Sequence, residues 1–158
     1  MLKKSIEAQF GYLDMVHTVT KKAVAAIPED KLDFRPTPAM RSAKEIVLHI
    51  YGGTKAMADS ALSLEMPEAA YKAAEDASNA PNKAALLDYM DACQKRLNEV
   101  VSGLTEEDLQ KTVKCFYGDS KVDQHLRFVY DEHWHHRGQL YAYLRLMDIE
   151  PPFLYGYE

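Results

Sequence analysis

The chain has 158 residues, of which 47% are hydrophobic and 27% charged, values ordinary for a globular protein with a true core. A chain of this length can bury roughly two thirds of its unfolded surface, so one domain spanning 1–158 is expected, with no need of a metal or disulfide for stability. A net charge of −5, with Lys and Arg scattered, argues against nucleic-acid binding, and without an apolar run of ~18 residues no membrane span is expected.

Helical periodicity dominates. The first helix is expected from about Ser5 to Ile27, with an inner seam of Phe10, Leu13, His17, Thr20, Val24 and Ile27 in steps of three and four. Pro28 ends it, and IPEDKLDFRPTPAM forms a long connection. Ser42 and Glu45 have the spacing of a capping box, opening a second helix through KEIVLHIYGGTKAMADSAL. A third covers NKAALLDYMDACQKRLNEVVSGL, with Leu86, Tyr89, Cys93, Leu97 and Val100 or Val101 inward. TEEDL reads as a short turn, and KTVKCFYGDSK as a small hairpin or extended loop. The fourth long helix is expected from about Asp123 to Met147, and the two prolines of IEPPFLYGYE stop it. The fold class expected is all-α, a four-helix bundle, which builds ligand and metal sites from side chains projecting inward.

The start, MLKKSIEAQF, lacks the apolar centre of a secretion signal. Cys93 and Cys115 are too few for a disulfide framework, and two reduced thiols in the cytoplasm are expected.

The stretch with most chemistry is DEHWHHRGQL at 131–140. On a helix of ~100° per residue, His136 falls in the apolar stripe of Val129, Leu140, Tyr143 and Met147, while Glu132 and His133 lie on opposite flanks. Trp134 and His135 point elsewhere. His49, in IVLHIYGG, gives the second helix an inward polar group among Ile46, Gly53 and Ala56, whose small side chains leave a hollow or admit a neighbour. His17 and His125 read as core or boundary histidines bonded to neighbours. Arg137 is placed to neutralise a carboxylate such as Glu132. Gly138, costly in a helix interior by up to ~1 kcal/mol relative to alanine, implies close packing there.

HHRGQLYAYLR at 135–145 resembles the signature of the DinB-like (DinB/YfiT) superfamily of metal-binding bundles. FRPTPAMRSAKEIVLHI, Gly118 and MDIEPP are similar to other parts of its pattern. The resemblance implies a four-helix bundle with two long connections. It also implies a divalent metal held by one histidine of the second helix and two of the fourth, four residues apart. His49 matches the first position and His136 the last. The middle position falls on Glu132, because the usual His-Glu order reads Glu132-His133 here. A His49, Glu132, His136 ligand set suits zinc or nickel first, with iron(II) or manganese as alternatives. Two alternatives stay open: His133 replaces Glu132 as a ligand, or the exchange abolishes binding.

Members of the superfamily resemble metal-dependent thiol transferases, thiol-dependent isomerases or hydrolases. The expected function is thus a metal-dependent enzyme acting on a small molecule, with a low-molecular-weight thiol as candidate partner. His133 would be the candidate general base and Arg137 an orienting group for a carboxylate. The alternative is a bundle that binds metal, or a protein partner, without turnover. A homodimer is compatible with the pattern, with Trp134, Phe153, Tyr155 and Tyr157 open to a partner, although tail aromatics more commonly pack on their own domain.

Overall fold

The structure, a computed structural model, describes residues 2–158. Its elements are α1 (Leu2–Ala26), α2 (Ala43–Ser63), β1 (Glu65–Met66), α3 (Glu68–Glu75), α4 (Lys83–Gly103), β2 (Thr112–Cys115), β3 (Ser120–Lys121) and α5 (Val122–Leu146). Single 3-10 turns occur at Glu29–Lys31, Ala77–Asn79 and Asp108–Gln110. The four long helices follow the expected periodic segments, and β2 and β3 form a hairpin where one was read, to which β1 adds a strand that was not expected. No described helix is long and apolar enough to cross a membrane.

Local chemistry sets the helix ends. The Glu45 backbone N–H donates to Ser42 Oγ at 3.2 Å while the Ser42 N–H donates to Glu45 Oε2 at 2.8 Å, so both strands of the capping box form. Arg35 clamps the same carboxylate with two nitrogens, at 2.6 and 2.5 Å, which ties the long 28–42 connection to the start of α2. The Asn82 side chain accepts from Ala85 N at 2.9 Å and caps α4.

Two apolar clusters fill the bundle. One gathers Val24, Ile27, Val47, Tyr51, Leu86, Met90, Leu140 and Leu144. The other gathers Ile6, Phe10, Leu13, Met57, Leu97, Val100, Leu126 and Val129, and is closed by Met66 and Val113 of the sheet. That sheet has the order β1-β2-β3. β1 runs parallel to β2 (Glu65 opposite Lys114, Met66 opposite Cys115), and β2 antiparallel to β3 (Val113 opposite Ser120).

The buried histidines are satisfied by protein partners. His125 donates from Nε2 to Ser60 Oγ at 2.7 Å, and that hydroxyl donates onward to Met57 O. His17 accepts from Tyr51 OH at 2.8 Å and donates to Asp91 at 3.0 Å. Both match the structural roles read from sequence. Among the tail aromatics, Tyr157 packs back, its hydroxyl 2.9 Å from that of Tyr12, whereas Phe153 and Tyr155 are 73% and 61% exposed.

Two expectations need correction. Gly138 is not a point of close packing: a Cβ built there meets nothing within 4 Å. The second is α3, which the sequence reading missed. None of its residues is fully buried, and Tyr71 is its one large apolar side chain packed on the core, which is too little to stand out as a stripe.

Burial lowers the His125 pKa to about 4 and, with the nearby Arg137 charge, that of His133 to about 3, against an ordinary 6.5. Both folded values lie below the unfolded one, so this stability is intact above about pH 6.5 and is lost as pH falls toward the folded values. Each histidine should cost about 2 kcal/mol between pH 7 and 5. Urea unfolding midpoints should therefore drop over that interval, and His125→Gln, which retains a donor for Ser60, should flatten the slope.

Candidate metal centre

His49 lies in the middle of α2, and Glu132 and His136 lie one turn apart on α5. The two helices approach closely enough that the His49 and His136 rings meet edge to face, with centroids 4.4 Å apart. Glu132 Oε2 stands 3.0 Å from His136 Nε2 and 3.4 Å from His49 Nε2. One donor atom from each of the three side chains lies within 4.8 Å of the others, and this is the one such group among the described residues.

The outer nitrogens of both rings are occupied. His49 Nδ1–H donates to Glu75 Oε1, and the Tyr71 hydroxyl lies 3.5 Å from the same nitrogen. His136 Nδ1–H donates to Gln139 Oε1 at 2.8 Å, and the Gln139 amide donates to His135 Nε2 at 3.2 Å. With the proton on Nδ1 in each ring, both Nε2 lone pairs face Glu132 Oε2. A carboxylate or amide behind the ring is the usual means of fixing tautomer and orientation in a metal-ligating histidine.

The donor set fits a divalent ion. Tetrahedral coordination with bonds of about 2.1 Å separates neighbouring donors by about 3.4 Å, close to the spacings of the two nitrogens from the carboxylate oxygen. Burial lowers the His136 pKa, against the opposing effects of Gln139 and Glu132, so this imidazole is neutral and able to donate at pH 7. Glu132 is half-exposed, at 46% of its side chain, so the site opens on one side. There lies a cavity of about 380 Å³, walled by Tyr71, Phe116, Tyr117 and Phe128 and floored by His49 and Glu132. Successive ring centroids along this wall are 5.7, 5.0 and 6.4 Å apart. No Lys or Arg lines it; Asp131 does.

The close approach of α3 depends on Gly52. A Cβ there would stand 2.4 Å from Ala74 O, and one on Gly53 would stand 3.0 Å from the Tyr71 hydroxyl. These small residues therefore admit a neighbouring helix, one of the two outcomes read from the sequence, and so bring Glu75 behind His49.

His133 is not at this site. Its Nε2–H donates to Thr20 Oγ1 at 2.9 Å, its ring packs edge-on to Tyr51, and it is 1% exposed. Buried on the α1 side with its pKa near 3, it reaches neither the cavity nor the three donors, so the role of general base is withdrawn. Arg137 also turns away: its guanidinium stacks on Trp134 and forms no ion pair with Glu132. Glu75, Gln139 and Tyr71 are the site residues that the sequence reading missed. Gln139 carried a usable signal, three residues from His136 and so on its face. Glu75 carried none, because its role depends on a helix 26 residues from His49 whose docking no pattern announces.

Gly52→Ala should displace α3 and release Glu75 from His49. Amide exchange across Glu68–Glu75 should accelerate at least tenfold, while Gly11→Ala, whose Cβ meets open space, should leave it unchanged.

Comparison with known proteins agrees with the bundle fold. Residues 12–140 match the family model of the DinB superfamily. A crystal structure of a DinB-like protein from Bacillus subtilis superposes with a TM-score of 0.76 at 20% identity, covering 95% of this chain and 97% of that one. No curated protein matches the chain in sequence. The bundle, the site at the α2–α5 contact and the family match over most of its length make the chain a member of the DinB superfamily.

Proposed function

We propose that the protein is a divalent-metal-dependent enzyme acting on a small molecule, of thiol-transferase or hydrolase type, with the ion held by His49 Nε2, Glu132 Oε2 and His136 Nε2. The observation that carries this reading is the convergence of two imidazole Nε2 atoms on one carboxylate oxygen while both outer nitrogens are bonded. When bound, such an ion lowers the pKa of a thiol or water and supplies a nucleophile at neutral pH.

The chain's own residues supply the remainder. Glu75 and Gln139 hold the rings in register. The four aromatic rings beside Glu132 give an apolar substrate body a surface and shelter it from water. Lacking Lys and Arg and bearing Asp131, this wall favours neutral or cationic substrates over anionic ones. With His133 turned away, Asp131, the one carboxylate on the wall besides Glu132, takes the role of proton acceptor in this reading.

Zinc titration of purified protein tests the ligand set. His49→Ala and His136→Ala should each weaken binding at least 100-fold. Glu132→His should keep or tighten it, since an imidazole at that position restores the family's ligand pattern. Wild-type protein that takes up neither zinc, nickel, iron(II) nor manganese ends the metal reading.

Glu75→Gln should weaken zinc binding about 10- to 100-fold, the usual effect of removing an outer partner of a ligating histidine. Turnover of a thiol with a neutral aromatic electrophile, and hydrolysis of a neutral aryl ester, should both be compared with His49→Ala. Equal rates in the two proteins would leave a bundle that binds metal without catalysis.

A further inference from the structure

A second cavity, of about 480 Å³, lies between the C-terminal half of α5 and the tail at 150–154. It shares no lining residue with the cavity at the metal-ligand candidates. Arg137 lines it and is 5% exposed. The guanidinium carbon lies 4.3 Å from the centroid of the Trp134 ring and 5.7 Å from that of Tyr141. No carboxylate pairs with Arg137 among the described residues, and its Nη1 is buried without a hydrogen-bond partner. Arg is always charged, and a guanidinium taken from water needs an opposite charge or a full set of acceptors. Two aromatic faces offset part of that loss and leave Nη1 unsatisfied.

Three further features of the cavity agree with an incoming anion. Arg145 adds a second cation to its lining against the one acid, Glu150. Tyr141 donates to Pro152 O at 3.0 Å and so fixes the tail as a wall. Gly138 also lines the space, and a Cβ there would meet no protein atom within 4 Å. Pro151, Phe153 and Leu154 make the remaining surface apolar.

We propose that this cavity binds a small organic carboxylate with an apolar or aromatic body, its charge received by Arg137 and its body lying beside Gly138 against the tail.

Trp134 is the single tryptophan of the chain and stacks on Arg137, so its fluorescence reports the site. Benzoate should change that emission saturably, while benzamidine and benzyl alcohol, of the same shape but positive or neutral, should not. Arg137→Gln should weaken benzoate binding at least tenfold. Gly138→Leu should abolish it by placing bulk in the cavity from a position whose Cβ meets no protein atom, and so keeps the test usable should Arg137→Gln fold poorly. His49→Ala should bind benzoate as wild type does, which separates this site from the metal reading. Equal responses to the three probes, or benzoate binding that survives Gly138→Leu or is lost with His49→Ala, would overturn the proposal.

Discussion

The centre of this protein rests on which nitrogen of each histidine is already taken. Glu75 occupies Nδ1 of His49 and Gln139 occupies Nδ1 of His136, and only then do both Nε2 atoms face Glu132 as electron-pair donors. The second bond is local, one turn along α5. The first requires a separate helix held against α2 with Tyr71 as its one large apolar contact. Backbone contact does that work: Gly52 lets Ala74 O come in, Tyr89 OH donates to the same carbonyl, and the Asn79 amide bonds Ala73 O and Ala74 O at 2.9 and 3.1 Å. The orientation of His49 is therefore set by the missing side chain of a glycine three residues along α2.

Along α5, polar side chains are divided among different neighbours. His125 bonds Ser60 of α2, His133 bonds Thr20 of α1, and His136 faces His49 and Glu132. Burying an imidazole without a partner would be costly, and each of these has one. The division follows from the helical step. Positions 125 and 136 fall within about 20° of each other and both meet α2, while position 133 lies about 60° round and meets α1, so the helix satisfies its histidines on two neighbours. The massed histidines of DEHWHHRGQL are thus distributed rather than pooled, and two of the five titratable residues in 131–136 meet at the site.

This division also explains what could be read beforehand. The long helices announced themselves because each buries a continuous stripe, and the capping box at Ser42 needed only residues three apart. His136 was placed correctly inside the α5 stripe for the same reason. Glu132 and His133 could not be separated on periodicity alone, since they flank that stripe on opposite sides. What separates them is which helix lies on each flank, α2 beside Glu132 and α1 beside His133, and that is a property of the packed bundle. α3 escaped notice through its exposure, although Pro67 followed by an Ala-rich run of good helix formers was a signal of a helix start. The two-residue β1, paired in parallel across a long excursion of chain, left no pattern to find.

The carboxylate at 132 also bears on what the site can activate. Two neutral imidazoles and one carboxylate leave a divalent ion with a single net positive charge, and Glu75 behind His49 reduces the local field further. Such a centre acidifies a bound group less than three neutral imidazoles would. Bulk water begins near pKa 15.7 and must be lowered by many units to ionise at neutral pH, whereas a thiol begins at about 8.5 and needs a shift of only one or two. The same field therefore ionises a thiol with more to spare than it does water. A thiol is thus the less demanding nucleophile for this donor set, and in the thiol-transferase form of the proposal the wall of Tyr71, Phe116, Tyr117 and Phe128 would lodge an uncharged aromatic electrophile beside it.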